Sequence, residues 1–492
     1  MARHCAAKDD RRVSLWYTDA MRNQTVPVQK NQNITLEIDA LGAEGHGIGR
    51  MGEGFVVFVP GALPGERVDA LIIKTTAQYA VGKLLRVLHP SEERATPPCP
   101  VFGRCGGCQM QHLEYGAQLR FKTAQVADAL RTIGGFADAR VLPTLGMGDP
   151  WRYRNKGIFP VGSTPVPVSG TAAPAAPASL RMGLYAQRSH AIVDVADCPI
   201  QPQAASAAMQ AVRAWAQECH IAPYDETSHT GLLRAVLVRH FVQPGGTLVA
   251  VVTNGERLNH TDKLVAALRA AVPTLRGVVQ NVNTERTNVV LGRRERLLWG
   301  DAAVTAQLGD LRYDVGSLSF FQVNTQQMKR LYDAAVAAAD LQGHELVIDA
   351  YCGVGTIGQY LSPKAGKVIG IESVAESVEE ARRAAARNGI ANAEYLCGHA
   401  EDVFAGLAAQ GTRPDVILMD PPRKGCDPRF LEAVVRCGAP KLVYVSCNPA
   451  TFARDARILA QAGYRLGPVQ PVDMFPQTAD VECVAGLALP VE

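Results

Sequence analysis

The sequence has no apolar run long enough to cross a bilayer, no marked excess of charge of one sign, and no paired cysteine framework. A membrane-spanning helix needs about 20 mostly apolar residues, so no membrane association is expected. A formal net charge of +3 over 492 residues neither requires nor excludes a polyanionic partner. The opening stretch MARHCAAKDDRRVSLWYTDAMRNQ carries charges with no apolar core behind them. It does not read as a secretory leader. Residues 1–32 are expected to form a loose, flexible extension, and the chain to be cytoplasmic. The twelve cysteines are scattered along the chain, a usage that fits metal ligands or catalytic groups better than secreted disulfides. Nothing points to an obligate protein partner.

What is present is a globular composition, 47% hydrophobic and 20% charged. The length suits roughly two to four domains. Residues 33–90 hold short strand-like runs (ITLEIDAL, GFVVFVP, ERVDALII, VGKLLRVL) broken by glycine-rich turns. That spacing predicts a five-stranded OB-type barrel, a fold that often holds nucleic acid. Residues 91–315 read as a central α/β domain opening with a cysteine-rich loop. Within it, TPVPVSGTAAPAAPAS at 164–179 has too little bulky apolar surface to pack and is expected to be a flexible surface insertion. Residues 118–156 set Arg120, Lys122, Arg131, Arg140, Arg152, Arg154 and Lys156 against three aspartates. A solvated helix face alone would explain that excess. From residue 316 strands and helices alternate, as in HELVIDAYCGVGTIGQYL and KVIGIESVAESVEEARRAAARNGI. A doubly wound α/β sheet follows, with ligands at the carboxyl ends of its strands.

DAYCGVGTIG places Asp349 at a strand end and Gly353 and Gly355 in the turn, where a backbone can approach a ligand closely. The next strand ends at Glu372, positioned for a ribose diol. These features suit NAD and S-adenosylmethionine equally. The fourth strand separates them, because it ends in Asp420-Pro421-Pro422, a rigid acidic turn where methyltransferases hold the target base. Arg423 follows, where amino-directed enzymes usually have an aromatic residue. The fifth strand runs VYVS straight into Cys447-Asn448-Pro449. Uracil C5 is a poor nucleophile toward a methyl sulfonium, and a thiolate added at C6 makes it reactive. The C5 proton must then leave, and Glu482, bracketed by apolar neighbours in DVECVAGL, is the candidate base.

FFQVN (320–324), DAYCGVGTIG, DPPRKG, VSCNPATFARD and DMFPQTADVECV together resemble the RNA uracil-5-methyltransferases, in the TRAM-domain-containing branch that acts mainly on 23S ribosomal RNA. The resemblance covers residues 33–492. It implies a Rossmann-like class I methyltransferase domain over 316–492, a TRAM barrel over 33–90, Cys447 as nucleophile and Glu482 as base. It also implies Gln322, Tyr351, Gly353, Gly355, Thr356, Glu372 and Asp420 around S-adenosylmethionine. Family members commonly have His where this chain has Gln477 and Asp480, which alters the charge near Glu482.

Cys99, Cys105 and Cys108 stand at C-x5-C-x2-C, and Cys198 lies in DVADCPI. Four thiolates suit zinc or an iron–sulfur cluster, and the spacing does not choose between them. The family resemblance implies a [4Fe-4S] cluster. Cys5, Cys219, Cys352, Cys397, Cys426, Cys437 and Cys483 lack any partner spacing, and most read as packing residues.

The expected activity is S-adenosylmethionine-dependent methylation of uridine C5 in RNA, 23S rRNA foremost and tRNA as the other candidate. The target base would be flipped into a cleft, with the barrel and the 118–156 segment holding the surrounding RNA. An RNA cytosine-5 methyltransferase is the nearest rival, since it also needs a cysteine adduct. A non-catalytic iron–sulfur RNA-binding protein is the rival from another class. It would need neither Cys447 nor Glu482.

Overall fold

The computed structural model describes residues 26–163, 180–242 and 244–490. The expected extension, as far as residue 25, and the insertion at 164–179 lie outside the described residues. Among the described residues no helix is long and apolar enough to cross a membrane. One unit of the chain ends at Arg94 and a second begins at Ala95.

In the first unit, β1 (Asn33–Leu41), β2 (Gly47–Met51), β3 (Phe55–Val59), β4 (Arg67–Thr75) and β5 (Tyr79–His89) close into a barrel in the order β1-β2-β3-β5-β4. This is the five-stranded barrel expected from the turn spacing. Period-two alternation buries Phe55, Val57 and Val59 from β3 against Val68, Ala70 and Ile72 from β4. The extended segment before β1 contributes Val28 to the same core.

The second unit opens with the cysteine loop and α1 (Tyr115–Ala129). Its first sheet has β6 (Lys156–Ser163), β7 (Leu180–Tyr185), β8 (Ile192–Asp194), β9 (Leu233–Phe241), β10 (Gly246–Thr253), β11 (Leu275–Val282) and β12 (Arg294–Gly300), ordered β12-β11-β10-β9-β6-β7-β8. One face is covered by α2 (Gln203–Glu218) and α3 (Thr261–Ala271), through Trp215, Met209, Leu264 and Leu268. The other presents Leu237, Phe241, Leu248 and Val279 to a core shared with the hairpin β13 (Ala303–Leu308)–β14 (Leu311–Gly316) and with α4 (Thr325–Ala339).

The second sheet alternates β15 (Leu346–Ala350), α5 (Thr356–Leu361), β16 (Lys367–Glu372), α6 (Ala375–Arg387), β17 (Ala393–Cys397), α7 (Ala400–Ala409), β18 (Val416–Met419), α8 (Pro428–Cys437), β19 (Lys441–Ser446) and α9 (Pro449–Gln461). It finishes with β20 (Arg465–Val472) and β21 (Glu482–Ala488). The order is β17-β16-β15-β18-β19-β21-β20, parallel except that β21 runs antiparallel to both neighbours. β18 and β19 are buried on both faces, which explains their unbroken apolar runs. Strand order reverses between β15 and β18, so a crevice opens at their carboxyl ends.

The 118–156 segment is not a free cationic face. Lys122 is completely buried, with Nζ 2.5 Å from Asp473 Oδ1. Arg131 pairs with Asp128 and Arg152 with Asp197. Burial lowers the Lys156 ammonium to about 8, with Arg239 adding to the effect. Lys122, Arg131, Arg152 and Lys156 are thus engaged or partly buried. Removing one member of a buried ion pair strands the other charge, at a cost of about 3–5 kcal/mol. Lys122→Met should therefore lower unfolding free energy by about that amount in a denaturant titration; a loss below about 1 kcal/mol would contradict the pairing.

Candidate active site at the strand ends

The catalytic candidates meet because of strand register. On antiparallel β19 and β21, Ser446 pairs with Cys483. One step further along each strand come Cys447 and Glu482, side by side where the ladder stops. Glu482 also pairs across β20 with Val472 and is 4% exposed. The turn after Cys447 is held locally: Ser446 Oγ accepts from Asn448 N–H at 3.1 Å, and Asn448 Oδ1 accepts from Ala450 N–H at 3.1 Å. Pro449 begins α9, with its fixed φ and missing N–H suited to a helix start.

The acidic turn after β18 docks onto that same helix. Asn448 Nδ2 donates to the Arg423 carbonyl at 3.0 Å, and Arg454 Nη2 to the Lys424 carbonyl at 3.0 Å. Buried Asp455 accepts from Cys426 N–H at 2.9 Å and from Tyr444 OH at 2.7 Å. The Arg423 guanidinium reaches out to Asp480 at 2.8 Å.

On the other side of the crevice, Asp349 from β15 is 1% exposed and accepts the Gly358 N–H of α5 at 2.9 Å. The carboxylate thus ties the glycine turn to the sheet. Gly355 has φ +76°, and a Cβ there would come within 2.7 Å of the Tyr395 ring. Gly353 has φ +55° with open space where a Cβ would stand. Its N–H donates to Glu372 Oε2 at 3.0 Å. Tyr351, also at positive φ, packs edge-on against Phe430, and its hydroxyl is buried. The Gln322 carbonyl accepts from Asn155 Nδ2 at 2.7 Å. The Thr356 hydroxyl is bonded to Tyr332 OH of α4 at 2.7 Å.

Electrostatically the crevice is carboxylate-rich and short of cations. Burial pushes Asp420 up to about 7. Burial first, and then the Asp420 and Glu372 charges, push Asp349 up to about 8. Glu482 also rises to about 8, through burial and then Asp420 and Asp480, with Arg423 opposing. The Cys447 thiol is pushed up to about 11 by burial, then by Glu482 and Asp420, and Arg423 again opposes. Such a site suits a ligand that brings positive charge, and S-adenosylmethionine carries a sulfonium and an ammonium. The glycine cradle and the Glu372 carboxylate at the end of β16 fit that ligand.

The four cysteines expected to act together do line one small pocket, with Val101, Leu184 and Ile200 around them. Burial, reinforced by the neighbouring thiols, pushes Cys108 up to about 12 and Cys198 up to about 11. Among the described residues no three His, Cys, Asp or Glu side chains are gathered closely enough to hold a metal ion as they stand.

Comparison with known proteins agrees with this architecture. Residues 27–85 match the TRAM domain model and residues 300–489 the tRNA (Uracil-5-)-methyltransferase model. An uncharacterised RNA methyltransferase of Halalkalibacterium halodurans is 43% identical over 95% of this chain and 100% of its own length. One from Clostridium acetobutylicum is 40% identical over 94% of this chain and 98% of its own. The chain belongs to the RNA uracil-5-methyltransferase family. It is a TRAM-domain protein and an S-adenosylmethionine-dependent enzyme. The crystal structure of Pyrococcus abyssi tRNA (uracil-54, C5)-methyltransferase with S-adenosyl-L-homocysteine superimposes with a TM-score of 0.73. That protein is 26% identical, with 92% of this chain and 100% of that chain covered.

Asn155, Gln118 and Asp473 carry structural duties at this site that sequence reasoning missed. Only the placement of polar residues amid apolar ones, as in WRYRNKGIF, hinted at them. The raised carboxyl groups lead to a prediction. A cationic cofactor favours their ionised forms, so binding should release protons and tighten as pH rises from about 6 to 8.5. Calorimetry of S-adenosylmethionine binding in buffers of differing ionisation enthalpy should register that release, and Asp420→Asn should reduce it. Binding that is pH-independent over this range would contradict the electrostatic account.

Proposed function

We propose that this enzyme methylates C5 of a uridine in ribosomal RNA through a covalent bond between Cys447 and uracil C6, with Glu482 as the base. The observation that carries this reading is the side-by-side placement of Cys447 and Glu482 at the end of the β19–β21 ladder. Gln322, Tyr351, Gly353, Gly355, Glu372 and Asp420 would surround the cofactor, with Thr356 contributing through its backbone. S-adenosylmethionine held there supplies an electrophilic methyl group. Cys447, ionised to the thiolate, would add to C6 and shift electron density onto C5, which takes up the methyl as its bond to the cofactor sulfur breaks and S-adenosylhomocysteine leaves. Glu482 then removes the C5 proton. The electron pair re-forms the 5,6 double bond as the sulfur–C6 bond breaks, and sulfur leaves as thiolate. A base ionising near 8 is strong enough for this and still partly available at neutral pH. Arg423 favours the Cys447 thiolate against its acidic neighbours.

The domain division we favour is an extension over 1–32, a barrel over 33–90, a central domain over 91–315 and the methyltransferase domain over 316–492. A transfer-RNA substrate is the second reading, favoured by the likeness to the Pyrococcus abyssi enzyme. Mapping 5-methyluridine in cells with and without the protein separates the two by where the mark is lost.

Cys447→Ala should lose methyl transfer while still binding S-adenosylmethionine. Glu482→Gln should still add and methylate but stall before elimination, leaving label from S-adenosylmethionine in a protein–RNA species on a denaturing gel. Normal turnover by either variant, or 5-methylcytidine as the product, would sink this reading.

For the cysteine pocket we favour a [4Fe-4S] cluster on Cys99, Cys105, Cys108 and Cys198. The four cysteines share one pocket, and a single zinc bonded at about 2.3 Å would draw four sulfurs within about 4 Å of one another. A cluster spaces them more widely, and its positive irons would stabilise thiolates that burial disfavours. Anaerobically purified protein should contain about four irons per chain. One zinc per chain without iron would overturn the assignment.

A further inference from the structure

The segment between β20 and β21 carries Glu482 into place, yet hardly any of its hydrogen bonds are to the sheet. Asp473 accepts from Lys122 Nζ and from Tyr115 OH, at 2.5 and 2.8 Å. The Pro476 carbonyl accepts from Tyr153 OH at 3.0 Å. The Gln477 carbonyl accepts from the N–H groups of Gln109 and Met110, both at 3.0 Å. Gln477 N–H donates to Gln118 Oε1 at 3.1 Å, and its own Oε1 accepts from Gln118 Nε2 at 3.0 Å. Gln477 is 2% exposed and has φ +71°, a left-handed conformation that costs a non-glycine residue energy. The partners that hold it there come from the stretch just after Cys108 and from α1.

This segment is therefore gripped from the cysteine-loop side of the unit, while α4 holds its first two carbonyls, Asn324 Nδ2 donating to Met474 at 3.2 Å and Gln327 Nε2 to Asp473 at 3.0 Å. Tyr153 joins the two regions directly, because its ring packs in the same apolar cluster as Cys198, with Cys99, Cys105 and Cys108 against it. Four residues separate the gripped Gln477 from Glu482, too few to absorb much displacement.

We propose that Gln118 and Tyr153 are positioning residues for Glu482: they hold the 473–478 turn so that the carboxylate reaches the C5 proton, and thereby link the cysteine loop to the elimination step. This rests on the reading of Glu482 as the base. Neither residue is asked to touch substrate. Loosening the grip should impair proton removal more than cysteine addition or methyl transfer, so the covalent intermediate should accumulate. A merely structural role would reduce the amount of folded enzyme and scale every step alike.

The experiment compares wild type, Glu482→Gln, Gln118→Met and Tyr153→Phe, full-length and anaerobically purified. It uses substrate RNA and labelled S-adenosylmethionine, with the covalently bound fraction normalised to folded protein. Tyr153→Phe loses one hydrogen bond at nearly constant shape, so it carries the test even where Gln118→Met fails to fold. The expected result is a bound fraction raised several-fold over wild type, kcat reduced roughly two- to tenfold for Tyr153→Phe, and KM for both substrates little changed. A wild-type bound fraction in Tyr153→Phe, whatever its stability, would overturn the proposal if Glu482→Gln accumulates adduct in parallel. No adduct with Glu482→Gln would instead overturn the assignment of the base, and the positioning claim with it.

Discussion

Pairing between β19 and β21 ends at Ser446 and Cys483, and the next positions outward are Cys447 and Glu482, the proposed nucleophile and base. Antiparallel register is what makes this work. Had the last strand run parallel like the others, the carboxyl end of β19 would lie beside the carboxyl end of β21, and Glu482, at the start of its strand, would stand at the opposite edge. A one-residue slip would also turn every side chain of β21 over. The buried alternation of Val443 and Val445 against Val484 holds the register. The chemistry therefore rests on ordinary core packing several residues away.

The same placement makes the site costly to keep. Asp349, Asp420 and Glu482 are sheltered from water, and among the described residues no buried cation stands beside them. For Glu482 the folded chain holds a proton up to about pH 8, whereas the unfolded chain releases it near 4.5. Its contribution to stability is therefore lost as pH rises from about 4.5 through 8, because only the folded state keeps the proton there. A cationic ligand reverses that penalty, which makes cofactor binding and local stability parts of one equilibrium. The buried Lys122–Asp473 pair and the amide exchange between Gln118 and Gln477 act in the other direction, fixing the turn that delivers Glu482.

Where local pattern decides structure, the sequence was readable. Alternation in FVVFV was enough for the barrel, and VYVS followed by Cys-Asn-Pro was enough for a strand end at Cys447. Long-range partners were not readable. Lys122 looks like one more solvated lysine until Asp473, 351 positions away, buries it. Thr356 sits in the glycine turn as a cofactor ligand would, but Tyr332 from α4 takes its hydroxyl. Gln477 carries no mark of its left-handed backbone, since that conformation exists only while Gln118, Gln109 and Met110 grip it. Cys198 lies far from the other three cysteines in sequence, and only the fold brings it to their pocket.

The claim that Cys447 forms the covalent bond is tested most directly with RNA containing 5-fluorouridine, since fluorine cannot leave as a proton does. Incubating it with wild-type enzyme and S-adenosylmethionine, then digesting and sequencing the trapped complex by mass spectrometry, locates the attachment. The account predicts a methylated fluorouridine on the peptide containing Cys447 and on no other. Attachment to a different residue, or absence of any covalent complex from an enzyme that methylates ordinary RNA, would contradict it.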